Sequence, residues 1–446
     1  MPEHVVIIGG GFSGFFAARR INGRVAARNA QVTLITDLDA LWYQPLLPEV
    51  AVGALDPRSI AVPLTTVLKR VHLVRGRATS IDTGQQTVAV EDVGGVGRLV
   101  RYDRLLITAG SVSRLLGISG LAEHGIGFKT AAEALYLRDL VLQRLEMAAD
   151  DTDQARRRQL LSFVVVGAGY AGTELAAQMA YMTSRLARRF PAIEAGDLRW
   201  MLLDVGEKVM PELGESLGDR ALDVLRRRGV DVRLGTSVER ITRSGAHLTD
   251  GSFVPGAVVV WCAGVSPSPI VAATGLPTTR GRLTVDADLR VVGHPKIYAA
   301  GDAAAVPDLS KPAAENGSHP LCPPTAQHAM RQGDAVARNI IADIRHRRRR
   351  PYRHRDLGLV VDLGGPQAVA RPLGIPLRAR LAKLVTRGYH VFALPSGQRR
   401  ARVVAGWLLA GRRPDDVSLG ILPLTAALAH GEHPAPAETK RKAGES

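Results

Sequence analysis

Short apolar runs, each closed by glycine or by an acid, recur along the chain and outline its architecture. Val5–Ile8 form one such run, followed by Gly9-Gly10-Gly11-Phe12-Ser13-Gly14 and a helical stretch over Phe15–Ile21. The next predicted strand is Val32–Ile35, with Asp37 just beyond its end. The pattern then repeats: Phe163–Val166, Gly167-Ala168-Gly169-Tyr170-Ala171-Gly172, a helix over Thr173–Arg189, and the strand RWMLLD ending in Asp204. Strands alternating with helices in this way predict two Rossmann-like units of an α/β fold.

Each glycine turn has the chemistry of a dinucleotide cradle. The first glycine (Gly9, Gly167) permits the tight turn, and the second (Gly11, Gly169) admits a pyrophosphate against the backbone. The third (Gly14, Gly172) lets helix and strand pack closely, so that the phosphates meet the positive helix end. Asp37 is the candidate ribose ligand of the first unit and Asp204 that of the second. A carboxylate at 204 accepts from an adenosine 2′-OH and repels a 2′-phosphate. Val205, Gly206 and Glu207 follow it rather than an arginine, which favours NADH over NADPH. Small residues at the strand ends Ala109-Gly110 and Ala263-Gly264 leave room for a dinucleotide beside the backbone. A further strand ends in Gly301-Asp302, an acid placed to hold the ribityl or pyrophosphate part of a flavin.

Length and composition narrow the picture. At 446 residues the chain is too long for a single core. No apolar run approaches the roughly 20 residues of a bilayer-spanning helix. The first strand begins at His4, leaving no room for a signal peptide, so a cytoplasmic location is expected. The two cysteines, Cys262 and Cys322, form no CxxC. A disulfide framework, a dithiol centre and a metal site are therefore not expected.

The net charge of +16 is uneven: residues 345–446 hold 20 Lys/Arg against 7 Asp/Glu. Such a segment suits an anionic partner, a membrane surface or nucleic acid, or is simply a solvated arginine-rich surface. RHRRRRPYRHR (345–355) reads as a solvated loop, followed by strands in LGLVVDLGG and AVARPL. RLAKLVTRGYHVFAL (380–394) and RRARVVAGWLLAGRR (399–413) mix basic with apolar residues. Helices of that kind lie flat in a membrane interface, with Trp407 at the boundary, or pack on the protein's own core. Residues 432–446 read as a disordered tail.

Taken with YQPLLPEVAVGALDPRSIAVPL (43–64), TAGS, GAGYAGTE, WCAGVSPSP, YAAGDAA and PPTAQHAMRQG (323–333), the turns carry a resemblance over about residues 4–410. The sequence resembles the two-dinucleotide-binding flavoproteins, specifically the type II NADH dehydrogenases. The resemblance implies FAD on the first turn, NADH on the second, and hydride transfer to flavin N5. It implies a FAD-binding domain in two parts (1–120 and 285–344), an inserted NADH-binding domain (121–284), and a C-terminal α+β region (345–431) that docks to the membrane. It places Ala78 near the adenine, Gln44 near the flavin ring and Glu174 near the nicotinamide, although Glu174 so early in its helix also suits the helix dipole. It makes Ala326 and Gln327 part of an AQxAxQ acceptor pocket in which Arg331 replaces the second glutamine. There a cation would polarise a quinone carbonyl, stabilise reduced flavin, or mark a different acceptor.

The implied activity is that of a peripheral NADH:quinone oxidoreductase on the inner face of the cell membrane. Menaquinone or ubiquinone would be its acceptor, and a homodimer is one option for its assembly. A soluble reductase of a small iron–sulfur protein is the alternative. A nucleic-acid-binding NADH sensor is disfavoured because no aromatic-interleaved basic surface is visible. Pyridine nucleotide–disulfide reductases carry a cysteine pair soon after the first ribose acid, where this chain has ALWYQPLLPEV and no sulfur. Disulfide reduction is thereby excluded.

Overall fold

The computed structural model describes residues 2–24, 30–194, 196–410 and 417–420. Its frame is two five-stranded parallel sheets. Strands β1 (Glu3–Ile8), β2 (Ala30–Thr36), β3 (His72–Arg75) and β4 (Arg104–Ile107) belong to the first sheet. Strands β5 (Gly125–Gly127), β6 (Ser162–Val166), β7 (Arg199–Asp204), β8 (Val230–Leu234) and β9 (Val258–Trp261) make the second. The chain then returns to the first sheet with β10 (Ile297–Ala299). The orders are β10-β4-β1-β2-β3 and β5-β9-β6-β7-β8, so each sheet reverses direction beside its first glycine-turn strand. Such a reversal opens a crevice at the carboxyl ends of the strands, where ligands bind. All five residues of β6 are buried, as are the last four of β1, because helices cover both faces.

Two long helices follow the turns: α1 (Phe12–Arg24) and α2 (Tyr170–Ala187). Both begin three residues earlier than the apolar pattern predicts, since the last residues of each glycine turn already form the first helical turn. Helix α3 (Ala326–Ile344) lies across α1. Close approach there is possible because Gly333 has no side chain: a Cβ on it would stand 2.3 Å from the Ser13 carbonyl oxygen. The Ser13 hydroxyl donates to Ala329 O at 2.7 Å and fixes the register of the pair.

The C-terminal region adds a three-stranded antiparallel sheet (Val360–Asp362, Ala368–Ala370, Leu377–Arg378) and helices α4 (Ala379–Ala393) and α5 (Gly397–Leu409). Two expectations change here. The arginine run is not simply solvated. Arg349 bridges Asp288 and Asp343, Tyr352 is buried, and the segment straps back over α3, while Arg347, Arg348, Arg353 and Arg355 remain exposed. Trp407 does not sit at a boundary either; it points inward and its indole N–H donates to the buried Glu49 carboxylate. The exposed face of these helices is instead Leu381, Leu384, Phe392, Val404, Leu408 and Leu409, with Leu384 69% and Phe392 77% accessible. No helix among the described residues is long and apolar enough to cross a membrane. The tail at 432–446 lies outside the described residues.

Candidate active site

The two glycine turns are built alike. Gly9 (φ +98°) and Gly167 (φ +110°) adopt backbone conformations that L side chains resist. A Cβ on Gly14 would stand 1.9 Å from Gly9 O, and one on Gly172 would stand 1.9 Å from Gly167 O. The middle glycines, Gly11 and Gly169, face open space, with nothing within 4 Å of a notional Cβ. Backbone packed at both ends and open in the middle is the shape a pyrophosphate requires, so both turns fit a dinucleotide. Asp204 reaches across the second turn, accepting from Ala168 N at 2.6 Å and Gly206 N at 2.7 Å. Each carboxylate oxygen keeps a second lone pair for a ribose hydroxyl.

Two adjoining cavities follow the first sheet's crevice. One, of about 970 Å³, is lined by Gly9, Asp37, Ala78 and Ala109, and suits the adenine half of a dinucleotide. The other, of about 850 Å³, brings together Gly9, Gly11, Asp37, Gln44, Ala109, Gly110, Glu174, Gly264, Gly301, Asp302, Ala326 and Gln327. Gly14, Gly167, Gly169, Gly172, Asp204 and Arg331 do not line either. Helix α3 aims its N-terminus at the second cavity, and Thr325 caps it by accepting from His328 N at 3.3 Å. The positive end of the helix dipole thus favours negative charge in the cavity. Gln44 is held by its donation to Lys129 O at 3.0 Å. Lys129 in turn donates to Ser111 Oγ (2.6 Å), which donates to Asp302 Oδ2 (2.5 Å). Burial lowers the Lys129 pKa, and Asp302 and Glu133 oppose that shift.

Behind the cavity lies a cluster of buried ionisable groups of which the sequence pointed only to Glu174. Glu174 sits in the second turn of α2, too far in for a capping role, and its Oε1 accepts from Asp362 N at 2.7 Å. Lys383 of α4 pairs with both oxygens of Asp362. Glu49 lies beside Asp362 and takes the Trp407 N–H. Tyr43 OH and His390 Nδ1 are 3.2 Å apart at the cavity wall. Three buried carboxylates share one cation, so protons must supply the remaining neutralisation. Burial raises Glu174 well above the ordinary range, and burial with the Asp362 charge lifts Glu49 to about 8. Asp362, an acid closing a short apolar strand, was the one further readable signal; Lys383 is one of three basic residues along its helix.

The raised Glu49 pKa has a thermodynamic signature. Its folded pKa, about 8, exceeds the ordinary 4.5, so the folded protein binds the extra proton. The associated stability is complete below about pH 4.5 and is lost as pH rises toward 8. The wild-type urea midpoint should therefore fall more steeply between pH 5.5 and 8.5 than that of Glu49→Gln. Parallel slopes in the two proteins would show that Glu49 is ionised when folded. His328 and His390, each pushed down to about 4 by burial, contribute equally to both proteins and cancel.

Arg331 departs from its expected place at the acceptor. It lies one turn beyond Gln327, and its guanidinium is engaged by Gln327 Oε1 (3.0 Å) and the His354 ring. Cys262 does line the cavity, but burial lifts its thiol to about 12, so no thiolate forms at neutral pH. Both cysteines are free.

The chain matches the pyridine nucleotide-disulphide oxidoreductase family over residues 3–333. It is 31% identical to the type II NADH:quinone oxidoreductase Ndh of Mycobacterium tuberculosis, over 91% of this chain and 87% of the relative. It is 30% identical to the demethylphylloquinone reductase NdbB of Synechocystis, over 91% and 95% respectively. In fold it is similar to NDH2 from Plasmodium falciparum, solved in complex with NADH. That match has a TM-score of 0.86 at 17% identity and covers 93% of this chain and 99% of the other.

Proposed function

The chain belongs to the pyridine nucleotide-disulphide oxidoreductases and, within them, to the type II NADH:quinone oxidoreductases, and we infer from this how its residues oxidise NADH with FAD and reduce a quinone. The observation that carries the reading is the shared wall of the second cavity, the one at the α3 N-terminus. Residues of the first glycine turn, the α3 N-terminus and Tyr389-His390 of α4 line one space. Helix α4 presents Leu384 and Phe392 on its exposed side.

FAD held there would accept hydride from NADH and return electrons to the quinone. The chain's own contribution is positioning and proton supply. The Gly9–Gly14 turn, Asp37, Ala78, Gly110 and Asp302 hold FAD, while the Gly167–Gly172 turn and Asp204 hold NADH. Ala326 and Gln327 meet the quinone headgroup, with Gln44 beside the flavin ring. Quinol formation consumes two protons, of which one arrives with the hydride of NADH. Glu174, kept protonated by burial, carries one at Oε2, the oxygen not taken by Asp362 N. The Lys383–Asp362–Glu49 cluster behind it is the means of replenishment.

The exposed leucines and Phe392, rimmed by Arg378, Arg380 and Arg402, are the surface that meets the inner face of the cell membrane. A double change, Leu384→Asp with Leu408→Asp, should abolish sedimentation with anionic vesicles while sparing reduction of a water-soluble quinone. Vesicle binding that survives the change would remove this face from the docking surface.

The primary test uses the yellow protein without oxygen. NADH should bleach the flavin, and a short-chain menaquinone should restore it. Bleaching without restoration would transfer the acceptor role to a protein partner, as an iron–sulfur protein reductase requires.

A further inference from the structure

Gln327 makes two hydrogen bonds that differ in kind. Its Oε1 accepts from Arg331 Nη1 at 3.0 Å, and its Nε2 donates to Gly358 O at 3.2 Å. A guanidinium has donors only, and a backbone carbonyl has lone pairs only. Turning the amide over would set N–H against N–H and oxygen against oxygen, so only one orientation is compatible with these neighbours. With a glutamine at 331, which both donates and accepts, the restriction from that side would vanish and Gly358 O alone would hold the orientation.

The guanidinium is itself held from behind. Its Nη1 lies 3.2 Å from His354 Nε2, the His354 ring stacks on His328 at 3.8 Å, and Tyr352 OH is 3.1 Å from His354 Nδ1. Among the described residues no carboxylate forms an ion pair with Arg331, so its charge is directed at the Gln327 carbonyl. A cation on the amide oxygen draws electron density from the amide and strengthens its N–H as a donor. One N–H of that group serves Gly358, and the other is left for the cavity that Gln327 lines.

We propose that Arg331 is a positioning residue that locks the Gln327 amide with its N–H side toward the cavity, so that the pocket selects acceptors bearing a carbonyl oxygen. The proposal rests on the quinone reading above and adds to it a determinant of acceptor choice. Arg331 touches neither substrate nor cofactor; it acts through Gln327.

The test compares Arg331→Met and Arg331→Lys with wild type, using short-chain menaquinone and, separately, ferricyanide, which takes electrons without a hydrogen bond. Arg331→Met should raise the KM for menaquinone about tenfold, equivalent to roughly 1.4 kcal/mol, with a smaller change in kcat. Arg331→Lys, whose ammonium also only donates, should recover most of that loss. NADH:ferricyanide turnover should stay within about twofold in both. A parallel fall in ferricyanide turnover would mark a general structural role and overturn the proposal. Unchanged menaquinone KM in Arg331→Met would overturn it as well. Wild-type protein that reduces ferricyanide but no quinone would instead sink the quinone reading, and the proposal with it.

Discussion

Gly14→Ala should yield colourless protein, and Gly172→Ala should yield yellow protein that NADH fails to bleach. Either methyl group would stand 1.9 Å from a backbone oxygen of its own turn. Ordinary overpacking costs about 1–3 kcal/mol because side chains can shift; a carbonyl at the root of a five-stranded sheet has less freedom. Since each 1.4 kcal/mol is about tenfold in affinity, a loss of at least about 100-fold is expected at the affected cofactor. The middle glycines provide the matching control. A methyl on Gly11 or Gly169 meets no protein atom, so those variants should unfold at the wild-type urea concentration yet bind their cofactor poorly. Flavin content after purification and the rate of anaerobic bleaching read the two turns separately. Retention of flavin by Gly14→Ala together with its loss from Gly172→Ala would exchange the assignments.

The second large effect is expected at Lys383. Its side chain is 12% accessible and pairs with an Asp362 side chain that is 5% accessible. Removing one partner of a buried pair costs about 3–5 kcal/mol, chiefly because the other charge is left without compensation. Lys383→Met should therefore lower the urea midpoint sharply and slow quinone reduction. Adding Asp362→Asn should recover most of the stability, since asparagine removes the stranded charge and still accepts from Gly364 N, as Asp362 Oδ1 does at 2.7 Å. Recovery of stability without recovery of quinone turnover would separate the structural role of the pair from proton supply. If the double variant is no more stable than Lys383→Met, the buried-charge account fails.

How much of this was readable in advance varies by element. The turns were legible because each carries its requirement in three glycines at the same offsets, followed by a second strand and an acid. The Ala326-Gln327 segment was legible through its resemblance. The buried cluster was not, because Glu49, Glu174, Asp362 and Lys383 come from four distant segments and no local pattern joins them. Trp407 misled for a different reason: in a basic apolar helix an indole suits an interface as well as a core, and only the Glu49 carboxylate opposite it decides. The helix position of Arg331 is plain in the sequence, but a side chain that long reaches several neighbours, and the sequence offers no means of choosing among them.

The pairing of Trp407 with Glu49 also imposes an order on the birth of the molecule. The two residues are 358 positions apart, an interval that takes roughly 20–70 s to translate at about 5–20 residues per second. During that interval Glu49 has neither the indole nor Lys383 over it, and a water-exposed carboxylate of ordinary pKa is ionised. When the last helices close, burial lifts Glu49 to about 8 and the group takes up a proton. Closure of these helices over Glu49 is therefore coupled to proton uptake, and the nascent chain should complete its site faster in mildly acidic than in alkaline surroundings.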